Sequence, residues 1–250
     1  MTYKYLSAFV IFLGICLASA AMEKDSNIVI SNAKEYYNFE YSKKEAGVKV
    51  KQQITTTYKC INTRTSIPVV EFYDDKTSID EVKTFVDGSK AKYITPKYDY
   101  YSVDNIFYSD AHICYFSLPL EKKGTTSEVY FEKTVSDPRY FTTVYFSDGY
   151  LVENKTVSVT IPKSIGVELK EMNFEGRDIS KKTVYDQSLD ADIITYEIKN
   201  IAARETERNS PGPSYTEPHL LVLCKYANQP EGKITYFNTL DDQYAWYHSL

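Results

Sequence analysis

Residues 155–162 read KTVSVTIP, and this short stretch constrains the fold more than any other. Val157, Val159 and Ile161 alternate with Thr156, Ser158 and Thr160. A period of two belongs to an extended strand, whose successive side chains point to opposite faces. One set is apolar and the other polar, so one face is buried and the other wet, as in an antiparallel sheet. Similar runs recur: VKVKQQITTTYKCI (48–61), HICYFS (112–117), SEVYFEKTV (127–135), YFTTVYF (140–146), VELKEMNF (167–174), KKTVYDQ (181–187), DIITYEIKN (192–200) and LLVLCKY (220–226). EVKTFVDGSKAKYI (81–94) places Asp87-Gly88 between two alternating arms, a hairpin signal.

Turn residues separate the runs at even spacing: Lys123-Gly124, Asp137-Pro138, Asp148-Gly149, Pro162 and Glu175-Gly176. Many short strands with regular turns imply an all-β chain, an antiparallel β-sandwich or barrel. The 24 tyrosines fit, because aromatic and β-branched side chains suit a pleated, half-buried surface. No interval of 20–50 residues repeats clearly enough to claim a solenoid or propeller. Residues 21–44 read as a loose segment, 45–237 as the sandwich, and ARETERNSPGPSYTEPH (203–219) as a long surface connection.

The ends read differently. Lys4, an apolar run from Leu6 to Leu17 and Ala18-Ser19-Ala20 form a cleavable signal peptide over residues 1–20. The run is short for a membrane span, and Ile15 before Cys16 is the wrong size for a lipid-anchor signal. The mature chain is expected to be exported, with no membrane span after cleavage. At the other end, Thr239 caps a helix whose first turn holds Asp241 and Asp242. Leu240, Tyr244 and Tyr247 share one face of it, with Trp246 and Leu250 beside them. A lone amphipathic helix of about twelve residues is marginal, so residues 238–250 are expected to continue toward a further body.

Without Lys4 the mature chain holds 28 basic against 34 acidic residues, a net of −6, with no basic stripe, which argues against nucleic acid. Its cysteines are Cys60, Cys114 and Cys224, an odd number that allows one disulfide or none. No glycine-rich phosphate loop is present, and no cofactor is expected.

Each cluster that could carry chemistry has a plainer reading. Cys224 with His219 could form a thiol–imidazole pair, but Cys224 sits mid-strand with nothing nearby to lower its pKa. His112 and Cys114 share a strand face, which is half a zinc site with the other half missing. Asp74-Asp75, Asp190 with Asp192, and Asp241-Asp242 serve equally well as turn and cap residues. Asn154-Lys155-Thr156 matches a glycosylation acceptor. The richest cluster is aromatic: Tyr98, Tyr100, Tyr101, Phe107, Tyr108, Tyr115 and Phe116, with Asp99, Asp104 and Asp110 in range. Exposed, these rings could bind a glycan or a peptide, with Tyr98, Tyr100, Tyr101 and Tyr108 in contact. Buried, they are packing.

Four stretches resemble the N-terminal domain of unknown function that precedes transglutaminase-like cores in exported Bacteroidetes proteins. They are EVKTFVDGSKAKYI, SEVYFEKTVSDPRYFTTVYFSDGYLVENKTVSVTIP, YEIKNIAARETERNSPGPSYTEPHLLV and TYFNTLDDQYAWYHSL, and the likeness spans residues 45–250. The resemblance implies a non-catalytic, periplasmic or secreted accessory domain. Its partner would be a papain-like core of the same polypeptide, with a Gly-Asp-Cys turn and later His and Asp. None of those positions exists here, so no catalytic residue carries over. Tyr244, Trp246 and Tyr247 become the expected contact with that core.

Overall fold

The computed structural model describes residues 27–101, 110–204 and 210–249. The strands are β1 (Ile28–Ser42), β2 (Gly47–Cys60), β3 (Thr65–Tyr73), β4 (Thr77–Val86), β5 (Ser89–Lys90), β6 (Lys97–Tyr100), β7 (His112–Leu120) and β8 (Thr126–Val135). They continue with β9 (Thr143–Tyr145), β10 (Leu151–Pro162), β11 (Ile165–Met172), β12 (Ile179–Asp186), β13 (Ala191–Ile201), β14 (His219–Gln229) and β15 (Gly232–Thr235). Two helices, α1 (Pro213–Thr216) and α2 (Leu240–Ser249), and a 3-10 turn at Pro138–Tyr140 complete the set.

The architecture is all-β, a sandwich of unequal layers. One layer is an eight-stranded sheet in the order β12-β13-β10-β1-β2-β8-β4-β5. Against one of its faces lie two smaller sheets, β11-β14-β15 with β9 beside β14, and β3-β7-β6. Among the described strands all pairings are antiparallel except β1 with β10. The Asp87-Gly88 hairpin forms, with both residues at positive φ (47° and 76°) as a tight primed turn demands. Its second arm is short: β5 covers only two residues.

Two apolar cores fill the space between layers. The larger joins Tyr37, Phe39, Val157, Val159 and Tyr196 of the long sheet to Val144, Leu220, Val222 and Cys224 of the four-stranded sheet. The smaller joins Val129 and Phe131 to Ile67, Val69, Cys114, Phe116, Leu118 and Leu120 under the three-stranded sheet. Tyr58 and Tyr150, edge to face at 6.0 Å, touch both. In 155–162 the apolar side is buried as its alternation requires, and Ser158 on the other side is covered too, bonded to Thr195 at 3.1 Å.

Three sequence expectations need correction. The segment 21–44, read as loose, carries β1, which sits between β10 and β2 in the middle of the long sheet. Its alternation is hidden by a register shift between Ile30 and Asn32 and by an inward carboxylate, Glu35, whose charge is met by Lys155 at 2.6 Å. The run 140–146 divides into the end of the 3-10 turn and the three-residue β9. Within 203–219, α1 folds at Pro213–Thr216 and β14 already begins at His219. The signal peptide lies outside the described residues; among those described, no helix is long and apolar enough to cross a membrane.

Candidate binding surfaces

Between the two cores runs a seam of buried polar groups. Tyr37 on β1, Gln52 on β2 and Lys133 on β8 are neighbours in register, and all three are under 9% exposed. Tyr37 donates to Glu35 Oε2 at 2.8 Å, and Glu35 pairs with Lys155, whose Nζ also donates to Tyr145 O at 2.7 Å. Lys133 pairs with Glu71, which descends from β3, and donates to Phe72 O at 3.4 Å. Burial and the Glu35 and Glu71 charges push the Tyr37 phenol well above its ordinary pKa, so it stays a neutral donor. Buried charges persist only when paired and hydrogen-bonded, and both lysines here are.

The seam opens to solvent beside the three-stranded sheet. A cleft of about 250 Å³ lies there, lined by Gln52, Lys133, Phe72, Tyr73, Asp74, Asp110, Tyr140 and Phe141 among others. Next to it is an aromatic edge. Tyr73 stacks on His112 (5.0 Å, 27°), Tyr100 lies 4.4 Å from the same imidazole, Tyr98 meets Tyr73 edge-on at 6.2 Å, and Phe72 meets Tyr101 edge-on at 4.9 Å. Tyr98 and Tyr100 pair in register with Cys114 and His112, inward-facing positions, yet they are 55% and 69% exposed. The large sheet does not reach beneath them. Tyr101 is exposed as well, while Phe116 is buried in the smaller core. Tyr108, Phe107 and Asp104 lie outside the described residues.

A second surface surrounds α2. Its N-terminus is capped as read: Thr239 Oγ1 accepts from Asp242 N at 3.2 Å, and Asp242 Oδ2 accepts from Thr239 N at 2.8 Å. No residue of α2 is buried, and Leu240, Tyr244 and Tyr247 are exposed. Trp246 behaves differently. It faces the chain's own sheet, 5.3 Å from Phe237 and 5.6 Å from Tyr140. Arg139 lies between its ring (5.9 Å) and that of Tyr236 (5.7 Å), while the guanidinium grips Asp137 through Nη2 at 2.7 Å. Helix and sheet enclose a groove of about 790 Å³, walled by Leu221, Leu223, Phe237, Trp246 and Tyr247 with Arg139 at its side. Of the three residues expected to contact another body, Tyr244 and Tyr247 are free of the core and Trp246 is already engaged.

The other clusters resolve into local roles. Cys224 faces the larger core, where burial pushes its thiol up to about 12. His219, an odd number of positions away on β14, belongs to the opposite face, with Nδ1 2.8 Å from Glu217 O. The two do not meet. Cys60, Cys114 and Cys224 are all free and buried. Among the described residues no group of His, Cys, Asp and Glu could hold a metal ion. Asp74 Oδ1 accepts the N–H groups of Lys76 and Thr77 in a turn, Asp192 pairs with Lys163, and Asp190 accepts from Tyr185 Oη. Asn154, on the outer side of a central strand, donates to Ser31 O at 3.2 Å.

No protein-family model and no curated protein matches this chain. Among solved structures, a "putative protease" of Parabacteroides distasonis is similar in fold, with a TM-score of 0.56 and 13% identity. The match covers 79% of this chain and 40% of that one, so this chain spans well under half of its relative. A "putative nutrient binding protein" of Legionella pneumophila matches at a TM-score of 0.43 and 7% identity, over 78% of this chain and 67% of that one.

Proposed function

We propose that this chain is a non-catalytic accessory domain of an exported transglutaminase-like protein, docking on a cysteine-dependent core of the same polypeptide and shaping its substrate cleft. The observation that carries this reading is α2: a capped aromatic helix with no buried residue, beside an apolar groove. Monomeric proteins rarely leave contiguous apolar surface uncovered, and such patches mark contacts. The likeness of residues 235–250 to an aromatic linker helix supports the core as the occupant. The same fold also occupies 40% of a longer bacterial chain, which supports its being one part of a larger protein. Cys224, buried, with its thiol pushed up to about 12 and His219 on the opposite face of β14, is not placed as a nucleophile, which supports the non-catalytic reading. The test compares residues 21–250 with the same polypeptide continued through its core. The shorter chain binds more hydrophobic dye, and Leu240→Ser with Tyr244→Ser and Tyr247→Ser removes the difference. Equal dye binding by the two lengths overturns the reading.

The exposure of Tyr98, Tyr100 and Tyr101 favours a second reading, a sandwich that binds carbohydrate or peptide through this aromatic surface. Retention on immobilised glycans or peptides, lost with Tyr100→Ala and Tyr101→Ala, supports it; retention that survives both changes rejects it.

A further inference from the structure

The cleft at the mouth of the seam has a composition that selects its ligand. Its floor is Gln52 and Lys133, both more than nine-tenths buried. The Gln52 side-chain amide, with two donors and an acceptor, has no hydrogen-bond partner among the described residues. The Lys133 ammonium uses one N–H on Glu71 and one on Phe72 O, which leaves a third. The amide is not sealed away, since Ser147 Oγ is the one fully buried polar side-chain atom without a partner among the described residues; the Gln52 amide opens into the cleft, where an occupant can meet it. Four aromatic residues line the walls, Phe72, Tyr73, Tyr140 and Phe141, with Phe72 turning its carbonyl oxygen to Lys133, and Asp74 and Asp110 stand at the rim.

Charge narrows the choice. Lys133 and Glu71 offset each other, and the two rim carboxylates leave the cleft net negative, which turns away an anion. A cation drawn in by the rim would meet the Lys133 ammonium at the floor. A neutral group with several hydroxyls suffers neither penalty. One hydroxyl can accept from Lys133 and donate to the Gln52 oxygen, others can donate to the rim carboxylates, and the C–H face of a ring can lie on an aromatic wall. Pockets for drug-sized ligands have volumes of about 300–1,000 Å³. At about 250 Å³ the cleft is smaller, the scale of a single ring.

We infer that this cleft is a binding subsite for one neutral sugar ring, anchored by Gln52 and Lys133, with the aromatic edge extending the site toward the rest of a glycan. The inference deepens the second reading above and adds a place that the exposed tyrosines do not include. Tyr73 links the two, since it lines the cleft and stacks on His112 of the edge.

The experiment is ligand-observed NMR and calorimetry on residues 21–250, with methyl glycosides of glucose, galactose, mannose and N-acetylglucosamine. Arginine and glutamate serve as charged controls. At least one neutral glycoside should bind saturably, and both controls should not. Gln52→Leu, which keeps the site filled but removes the amide, should weaken that glycoside by about tenfold or more while thermal unfolding holds. Asp110→Asn, at an exposed position, should weaken it by a smaller factor. Tyr100→Ala should leave the monosaccharide unchanged and weaken only an oligosaccharide. Oligosaccharide binding that ignores Tyr100→Ala but falls with Gln52→Leu would sink the aromatic-surface reading and keep the cleft. The inference is overturned if no neutral glycoside binds, if a charged control binds instead, or if Gln52→Leu binds as well as the parent chain.

Discussion

The four-stranded and three-stranded sheets cover the same face of the long sheet, yet they close it in different ways. Beneath the first, Phe146, Phe174 and Tyr196 meet edge to face at 5.4, 6.0 and 6.1 Å, and the one ion pair there, Glu35 with Lys155, is tied to β9 through Tyr145 O and closed over. The second brings a carboxylate, Glu71, down with its apolar residues, and its last strand carries Tyr98 and Tyr100 into solvent. Each half buries one ion pair, but in the first the rings around it are enclosed, whereas in the second the rings touch one another at the surface and stay exposed. Recognition can sit only in the second: a closed core stabilises but contacts nothing, whereas an open boundary with fixed charge and exposed rings can accept a ligand at small cost in reorganisation.

The contrast can be tested from the strongest expected effect downward. Phe146→Ala should lower stability by about 3–5 kcal/mol in urea titration, because the ring is fully buried among two others. If the halves were independent, the transition would split and only one part would move. A single shifted transition shows that they fold together. Glu71→Ala should cost about 3 kcal/mol, the low end for stranding a buried charge, since Glu71 is itself partly exposed. Glu71→Leu with Lys133→Met should recover most of the loss; failure to recover would mean that the seam does more than balance charge.

A third prediction concerns pH. The Cys224 thiol has a folded pKa raised from 9.0 to about 12 by burial, so the unfolded chain releases this proton first. Its contribution is fully present below about pH 9 and is lost as pH rises toward 12, while acid leaves it untouched. At pH 8 a disulfide reagent should label Cys224 only as fast as the larger core opens, and immediate labelling would show that this half is not sealed. The smallest effect is expected from Trp246→Ala. It should change stability by about 1 kcal/mol or less, in line with an aromatic contact of partial burial, while loosening α2 in hydrogen exchange.

Much of this frame can be read from residue order. Alternation marks β2, β8, β10, β13 and β14 to within a few residues, the Asp87-Gly88 hairpin is where its chemistry puts it, and Thr239 with Asp242 caps α2. The four-residue β6 and β15 escape because they are too short to show a period, and the longer strands that escape are those whose inner face breaks the rule. In β1, Glu35 points inward and a bulge resets the period; in β3, Pro68 and inward Glu71 interrupt an otherwise apolar run. Both carboxylates are tolerated only because lysines arrive from β10 and β8, and such long-range partners leave no local trace. The aromatic edge is legible as a cluster of tyrosines, but not its exposure, which depends on where the long sheet stops. The cleft is invisible beforehand, since Gln52 and Lys133 are 81 positions apart in number and meet only through the β2–β8 register.

The parallel junction of β1 with β10 carries a kinetic and topological burden. A strand at the centre of the long sheet is borrowed from the first described residues, while its second neighbour ends only at Pro162. During synthesis β1 can zip onto β2 at once, but its far side stays an open row of unpaired amides for more than a hundred residues, a template for stray strands. A chain trimmed to begin at residue 43 would therefore gain two raw rims in place of one seamless sheet, and would be expected to clump rather than merely soften.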